Sequence, residues 1–238
     1  MRLSWLAAAA ATLAFSGAAH ANQFVVNGDF TQLSSGPPVY FDGNVTGWSG
    51  NGGYNYVYHD ANDGSAGFPL WTGSNGGASS WNGLTASGNG NFAALDGNFN
   101  TAAITQTING LTPNKQYTLS FNYAFGQQNG FYGDTQQNLT VSFGGSYSHT
   151  TPTITLPSTG FSGWQTFTDT VTADSTSDVL SFLANGATVG GGGQVPPFAL
   201  VSDVSLVGAP GPGPATGPLA VLGLLALGYA RLRRARQA

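Results

Sequence analysis

Three tyrosines, Tyr54, Tyr56 and Tyr58, recur at every second position. That spacing puts side chains on one face of a strand, so the three rings could share a platform. Asn51, Asn55 and Asp60 flank them, and Trp71 and Trp81 follow in the same Gly/Asn-rich stretch. Aromatic faces beside amides and carboxylates suit a ligand with apolar faces and polar edges, and a sugar ring is such a ligand. The competing role for each ring is packing in a core or under a long loop. Cleavage of a glycosidic bond would need two carboxylates facing each other across it. Asp60, Asp63, Asp96 and Asp134 could supply a pair, yet the chain has no glutamate. There is no Gly-x-Ser-x-Gly elbow, and His59 and His149 are the only histidines beyond the N-terminal segment. A binding protein is therefore expected and an enzyme is not. A structural or adhesive matrix protein without a specific ligand is the alternative, and a secreted glycoside hydrolase stands third.

The elements that would position these residues are strands. Tyr117, Leu119, Phe121, Tyr123 and Phe125 alternate with Thr118, Ser120 and Asn122, the period-2 pattern of a half-buried strand. Further strands are expected at Phe24–Val26, Ile104–Ile108, Leu139–Phe143, Ile154–Leu156, Trp164–Val171, Val179–Ala184 and Phe198–Leu206. In the last of these, Leu200, Val204 and Leu206 are expected on one face. From 36 to 100 the abundance of Gly and Asn argues against helix, because Gly is costly there and Asn competes for backbone groups. About eight or nine short strands without an amphipathic helix predict an all-β antiparallel sandwich.

The two ends of the 238-residue chain differ from this body. Arg2, the apolar run Leu6–Phe15 and Ala19-His20-Ala21 form the charged, apolar and small-x-small parts of a secretory signal peptide, residues 1–21. The body is expected over 22–208. The tail, 209–238, has a Pro/Gly segment (209–214), sixteen uncharged residues (215–230) and a basic cluster. As a helix the uncharged run would be about 24 Å long, short against a hydrocarbon core of about 30 Å. Its basic flank predicts a cytoplasmic C-terminus.

Five of the six basic residues are arginines in these ends, so the body holds one base, Lys115, against ten aspartates. A net charge near −9 argues against nucleic acid as a partner. It permits calcium, which takes oxygen ligands. The absence of cysteine excludes disulfides and thiolate chemistry.

The tail, with Pro210, Gly211, Pro212, Gly213 and Pro214 before the apolar run and Arg231, Arg233, Arg234 and Arg236 after it, resembles the PEP-CTERM sorting signals of Gram-negative bacteria, in a Pro-Gly-Pro variant. The resemblance implies export, transient insertion in the inner membrane, processing by an exosortase-like transpeptidase, and residence at the cell surface or in an extracellular, biofilm-type matrix where the body would meet exopolysaccharide. The body itself is similar to the galactose-binding-like jelly roll of carbohydrate-binding modules. The similarity lies in Asn27-Gly28-Asp29-Phe30, in the Ile104–Phe125 run and in Phe198–Leu206. It implies one structural calcium between the opening and closing strands, with Asp29 and Asp203 as ligands. Thr31 stands where that family often has Glu.

Overall fold

The alternation around Phe121 becomes the strand about which one sheet is built. The computed structural model describes residues 22–36, 39–59, 70–71, 91–190 and 194–209. The expected signal peptide, the sorting tail from Pro210 onward, Trp81, Asp60 and Asp63 lie outside the described residues. The described residues form eleven strands: β1 (Val39–Tyr40), β2 (Asn55–Tyr58), β3 (Phe92–Asp96), β4 (Ile104–Asn109), β5 (Gln116–Gln127), β6 (Asp134–Phe143), β7 (Tyr147–Thr150), β8 (Ile154–Leu156), β9 (Gln165–Thr172), β10 (Ser177–Val189) and β11 (Pro197–Gly208). The described residues contain no helix.

Two antiparallel sheets result, as the patterning predicts. The six-stranded sheet has the order β1-β2-β3-β11-β5-β9; the five-stranded sheet runs β4-β10-β6-β7, with β8 also on β6. From β4 onward the chain passes back and forth between the sheets, and β9, β10 and β11 alternate between them. That is the winding of a jelly roll, which leaves few free edges. The layer between the sheets takes Tyr117, Leu119, Phe121, Tyr123 and Phe125 from β5, Leu139, Val141 and Phe143 from β6, and Leu180, Phe182 and Ala184 from β10. Phe121 stacks on Phe167 at 4.7 Å and meets Phe182 edge-on at 4.9 Å.

Two local expectations are corrected. Phe24–Val26 is not a strand: its one backbone bond to β11 runs from the Phe24 N–H to the Leu206 carbonyl, beside the isolated bridge Gln23–Val207. The Gln23 side chain takes over the ladder's role, its Oε1 accepting from the N–H groups of Val25 and Leu206. Asn27, at φ 53°, then turns the chain away. In β11, Leu200 does not share a face with Val204 and Leu206. Asp203 sits at φ 52° and the register with β5 shifts between Ser202 and Ser205. One extra residue inverts the alternation, so Val204 and Leu206 enter the inter-sheet core while Leu200 lies on the outer face.

The exposed edge strand β9 has its own protection. Asp169 pairs across from Leu119, in the core-facing row, and an inward-pointing charge discourages edge-to-edge pairing. The Tyr147 hydroxyl, from the edge of the other sheet, donates to Asp169 Oδ2 at 2.7 Å. That bond first, and the Thr170 N–H second, hold the Asp169 carboxyl below its usual range. Burial and the same bond raise the Tyr147 phenol. A carboxyl whose folded pKa is depressed adds stability above its unfolded pKa, and loses it as pH falls through the folded one. Tyr147→Phe should therefore lower the urea midpoint at pH 7, with the difference from wild type narrowing as pH falls below the ordinary carboxylate range and through the lowered pKa of Asp169. A difference that stays constant as the carboxylates are titrated would detach the effect from Asp169.

Candidate functional site

The outer face of the six-stranded sheet is divided. Toward Gly208 it carries Thr118, Ser120, Asn122, Thr166 and Thr168. Toward Pro197 it is apolar, with Tyr56, Tyr58, Phe92, Ala94, Ala124, Phe198 and Leu200 packed beneath Leu70 and Phe161, and Trp164 against them. Cross-strand register sets one row as Tyr40, Tyr56, Ala94, Leu200 and Ala124. The small residues Ala94 and Ala124 leave the ring volume to Tyr56 and its neighbours.

Asn55 and Val57 face inward, so Tyr54, Tyr56 and Tyr58 do point to one side, but at three depths. Tyr58 is fully buried and stacks on Phe92 at 5.7 Å. Tyr56 is 2% exposed and forms a floor, while Tyr54 stands at the rim, 48% exposed. Above that floor lies a cleft of about 410 Å³. Tyr40, Tyr54, Tyr56, Phe99, Phe131 and Phe198 line it, with Asp96, Gln128, Gln194 and Pro196. The exposed large apolar side chains among the described residues are Tyr40, Tyr54, Phe99, Phe131, Tyr132, Val26 and Val179. Every aromatic one lines this cleft or, as Tyr132, follows a residue that does.

The supports of the cleft are local. Asp96, 2% exposed, accepts from the N–H groups of Asn98, Phe99 and Asn100 at 2.8 to 3.1 Å. The turn it closes sets Phe99 at the rim. The turn after β5 is strapped by Trp71, whose backbone N–H donates to the Gln127 carbonyl and whose indole N–H donates to that of Phe131. Trp71 is thus beside the cleft and not in it. On the floor, the Tyr56 hydroxyl donates to that of Tyr40 at 3.3 Å, with ring centroids 4.7 Å apart. Burial, then this bond, raises the Tyr56 phenol, which stays a protonated donor at neutral pH. Lys115, the only base of the body, precedes β5 at the opposite end of that strand from Gln127. Apolar ring faces with phenol and amide edges, and no cation, suit a neutral polyhydroxylated ligand and disfavour an anionic one.

Asp29 and Asp203 also come together, around a smaller polar pocket of about 370 Å³ with Gln23, Asn27, Gly28, Gln32 and Ser205. Asp29 Oδ1 accepts from the N–H and hydroxyl of Thr31. Asp203 Oδ2 accepts from Asn122 Nδ2 at 3.0 Å. No group of three or more His, Cys, Asp or Glu side chains that could hold a metal occurs among the described residues. The described members of the acid–base list hold structure: Asp96 closes its turn, Asp134 accepts from the Ser158 N–H, His59 meets Asn91 Oδ1, and His149 packs on Phe167.

No family model matches the chain, and no curated sequence does. Several solved structures are similar to it over most of its length. One is TmCBM61 in complex with β-1,4-galactotriose, at 13% identity and TM-score 0.40, covering 79% of this chain and 99% of that one. A family 16 carbohydrate binding module follows at 16% and 0.39, covering 77% and 99%. A cyclase from Fischerella sp. TAU, in complex with 4-(1H-indol-3-yl)butan-2-one, stands at 17% and 0.48, covering 81% and 100%.

The cleft residues Tyr40, Phe99, Gln128, Phe131 and Gln194, and Tyr132 beside them, are absent from the expected set. A signal for three of them exists in the sequence: Phe99 follows Asp96-Gly97-Asn98, and Phe131-Tyr132 is framed by Gly130 and Gly133. Large rings inside turn sequences, away from any alternating run, are candidates for exposure, although Phe161, between Gly160 and Gly163, is fully buried.

Proposed function

We propose that the body binds a neutral polysaccharide in the cleft floored by Tyr56. The observation that supports this best is the gathering of the exposed aromatic side chains at that one end of the sandwich. Rigid rings give contact area at little entropic cost, and their hydroxyls reach polar edges. In this reading the protein is exported, its tail is processed by an exosortase-like enzyme, and the mature form resides at the cell surface or in the matrix. The polar pocket between Asp29 and Asp203 would hold one structural calcium through carboxylate and carbonyl oxygens.

An array of neutral polysaccharides presented to the full-length protein tests the binding. A signal that falls about tenfold or more in Tyr54→Ala is expected; silence across the array from wild type removes the proposal. Intact mass of the native protein tests the sorting: residues 1–21 and the segment after about Pro214 should be missing, and a full C-terminus would end that part. The calcium site requires a melting temperature higher with calcium than with chelator.

A further inference from the structure

We infer that the cleft continues onto a second platform, made by Trp71 and Tyr132, so that the site takes the interior of a polysaccharide chain and not a single sugar. This rests on the carbohydrate reading above and adds the length of ligand the site recognises.

Tyr132 is 63% exposed, more than any other large hydrophobic side chain described. Its ring lies 5.4 Å from that of Trp71, tilted by 55°. The residue before it, Phe131, lines the cleft. Cleft wall and platform are therefore two sides of one turn. That turn is fixed before any ligand arrives. The Trp71 indole N–H donates to the Phe131 carbonyl at 3.0 Å, and the Trp71 backbone N–H donates to the Gln127 carbonyl at 2.9 Å. Leu70, buried, bridges to Gln128. Gly130 and Gly133 at φ 91° and 143° let the backbone carry two consecutive rings outward. With its N–H committed to Phe131, the indole presents ring area, while the Tyr132 hydroxyl remains at an exposed edge.

Preorganised rings lose little freedom on binding, so their contact area converts efficiently into affinity. A polymer that fills the cleft with one stretch can lay the next stretch on Tyr132. A disaccharide engages the cleft alone.

The test is calorimetric titration of full-length protein with disaccharides and hexasaccharides of the neutral series positive on the array. Wild type should bind the hexasaccharide about tenfold or more tighter than the disaccharide. Tyr132→Ala should erase most of that gain and leave disaccharide binding within about twofold. Tyr132→Phe should keep it, since the ring and not the hydroxyl makes the platform. Tyr54→Ala, inside the cleft, should weaken both lengths. The inference is overturned if wild type binds both lengths equally, or if Tyr132→Ala matches wild type on the hexasaccharide or weakens both lengths alike. A wild type that binds neither length removes the carbohydrate reading itself, a different result.

Discussion

Gly28→Ala should destabilise the protein by more than about 4 kcal/mol, or prevent folding. A Cβ at this position would stand 1.9 Å from the Val204 carbonyl oxygen and 2.9 Å from its carbon. Both are backbone atoms, which cannot rotate away as a side chain does. The contact is held from the other side as well, because the Val204 N–H donates to the Gly28 carbonyl at 2.9 Å. Asn27 and Phe30, both near φ 53°, leave the segment little room to retreat. Gly36→Ala is the control, since nothing lies within 4 Å of its added Cβ, and it should change stability by less than about 0.5 kcal/mol. Urea denaturation of both variants decides the matter. A Gly28→Ala protein within about 1 kcal/mol of wild type would show that the opening segment can shift freely.

The second large effect is expected at Asp96. Its carboxylate is buried and takes three backbone N–H groups. Asp96→Ala strips all three of their acceptor, and unsatisfied buried donors cost about 1–3 kcal/mol each where water cannot reach them. Partial hydration of this edge turn brings the expected loss to about 3 kcal/mol. Phe99 would lose its fixed place at the rim, so polysaccharide binding should fall about tenfold or more. Phe99→Ala separates the two effects: it should weaken binding while leaving the urea midpoint nearly unchanged. Binding that survives Asp96→Ala intact would mean the rim loop does not position the ligand.

The sandwich was legible because period-2 alternation is a direct imprint of a half-buried strand, and the inward row of β5 was read residue by residue. The β11 face was misread because its bulge falls at Asp203, with no glycine to mark it. The depth of the three tyrosines was hidden for another reason. Strand spacing places them on one side, but Tyr58 is buried in a cluster that includes Phe161, with Phe92 stacked on it, both distant in sequence. The aromatic rim was missed because the short strand β1 and two separate turns supply it, and no periodicity links Tyr40, Phe99 and Phe131.

β11 joins the two ends of the molecule. Its first residues border the cleft, and its last, with Gln23 bridged to Val207, lie at the opposite end. A tether pulling on the chain beyond Gly208, against a ligand gripping the cleft, therefore draws on β11 lengthwise. The hydrogen bonds to β3 and β5 lie across that pull. They must slide together in shear and cannot open one after another like a zipper, so an anchored body of this design would hold its grip under flow.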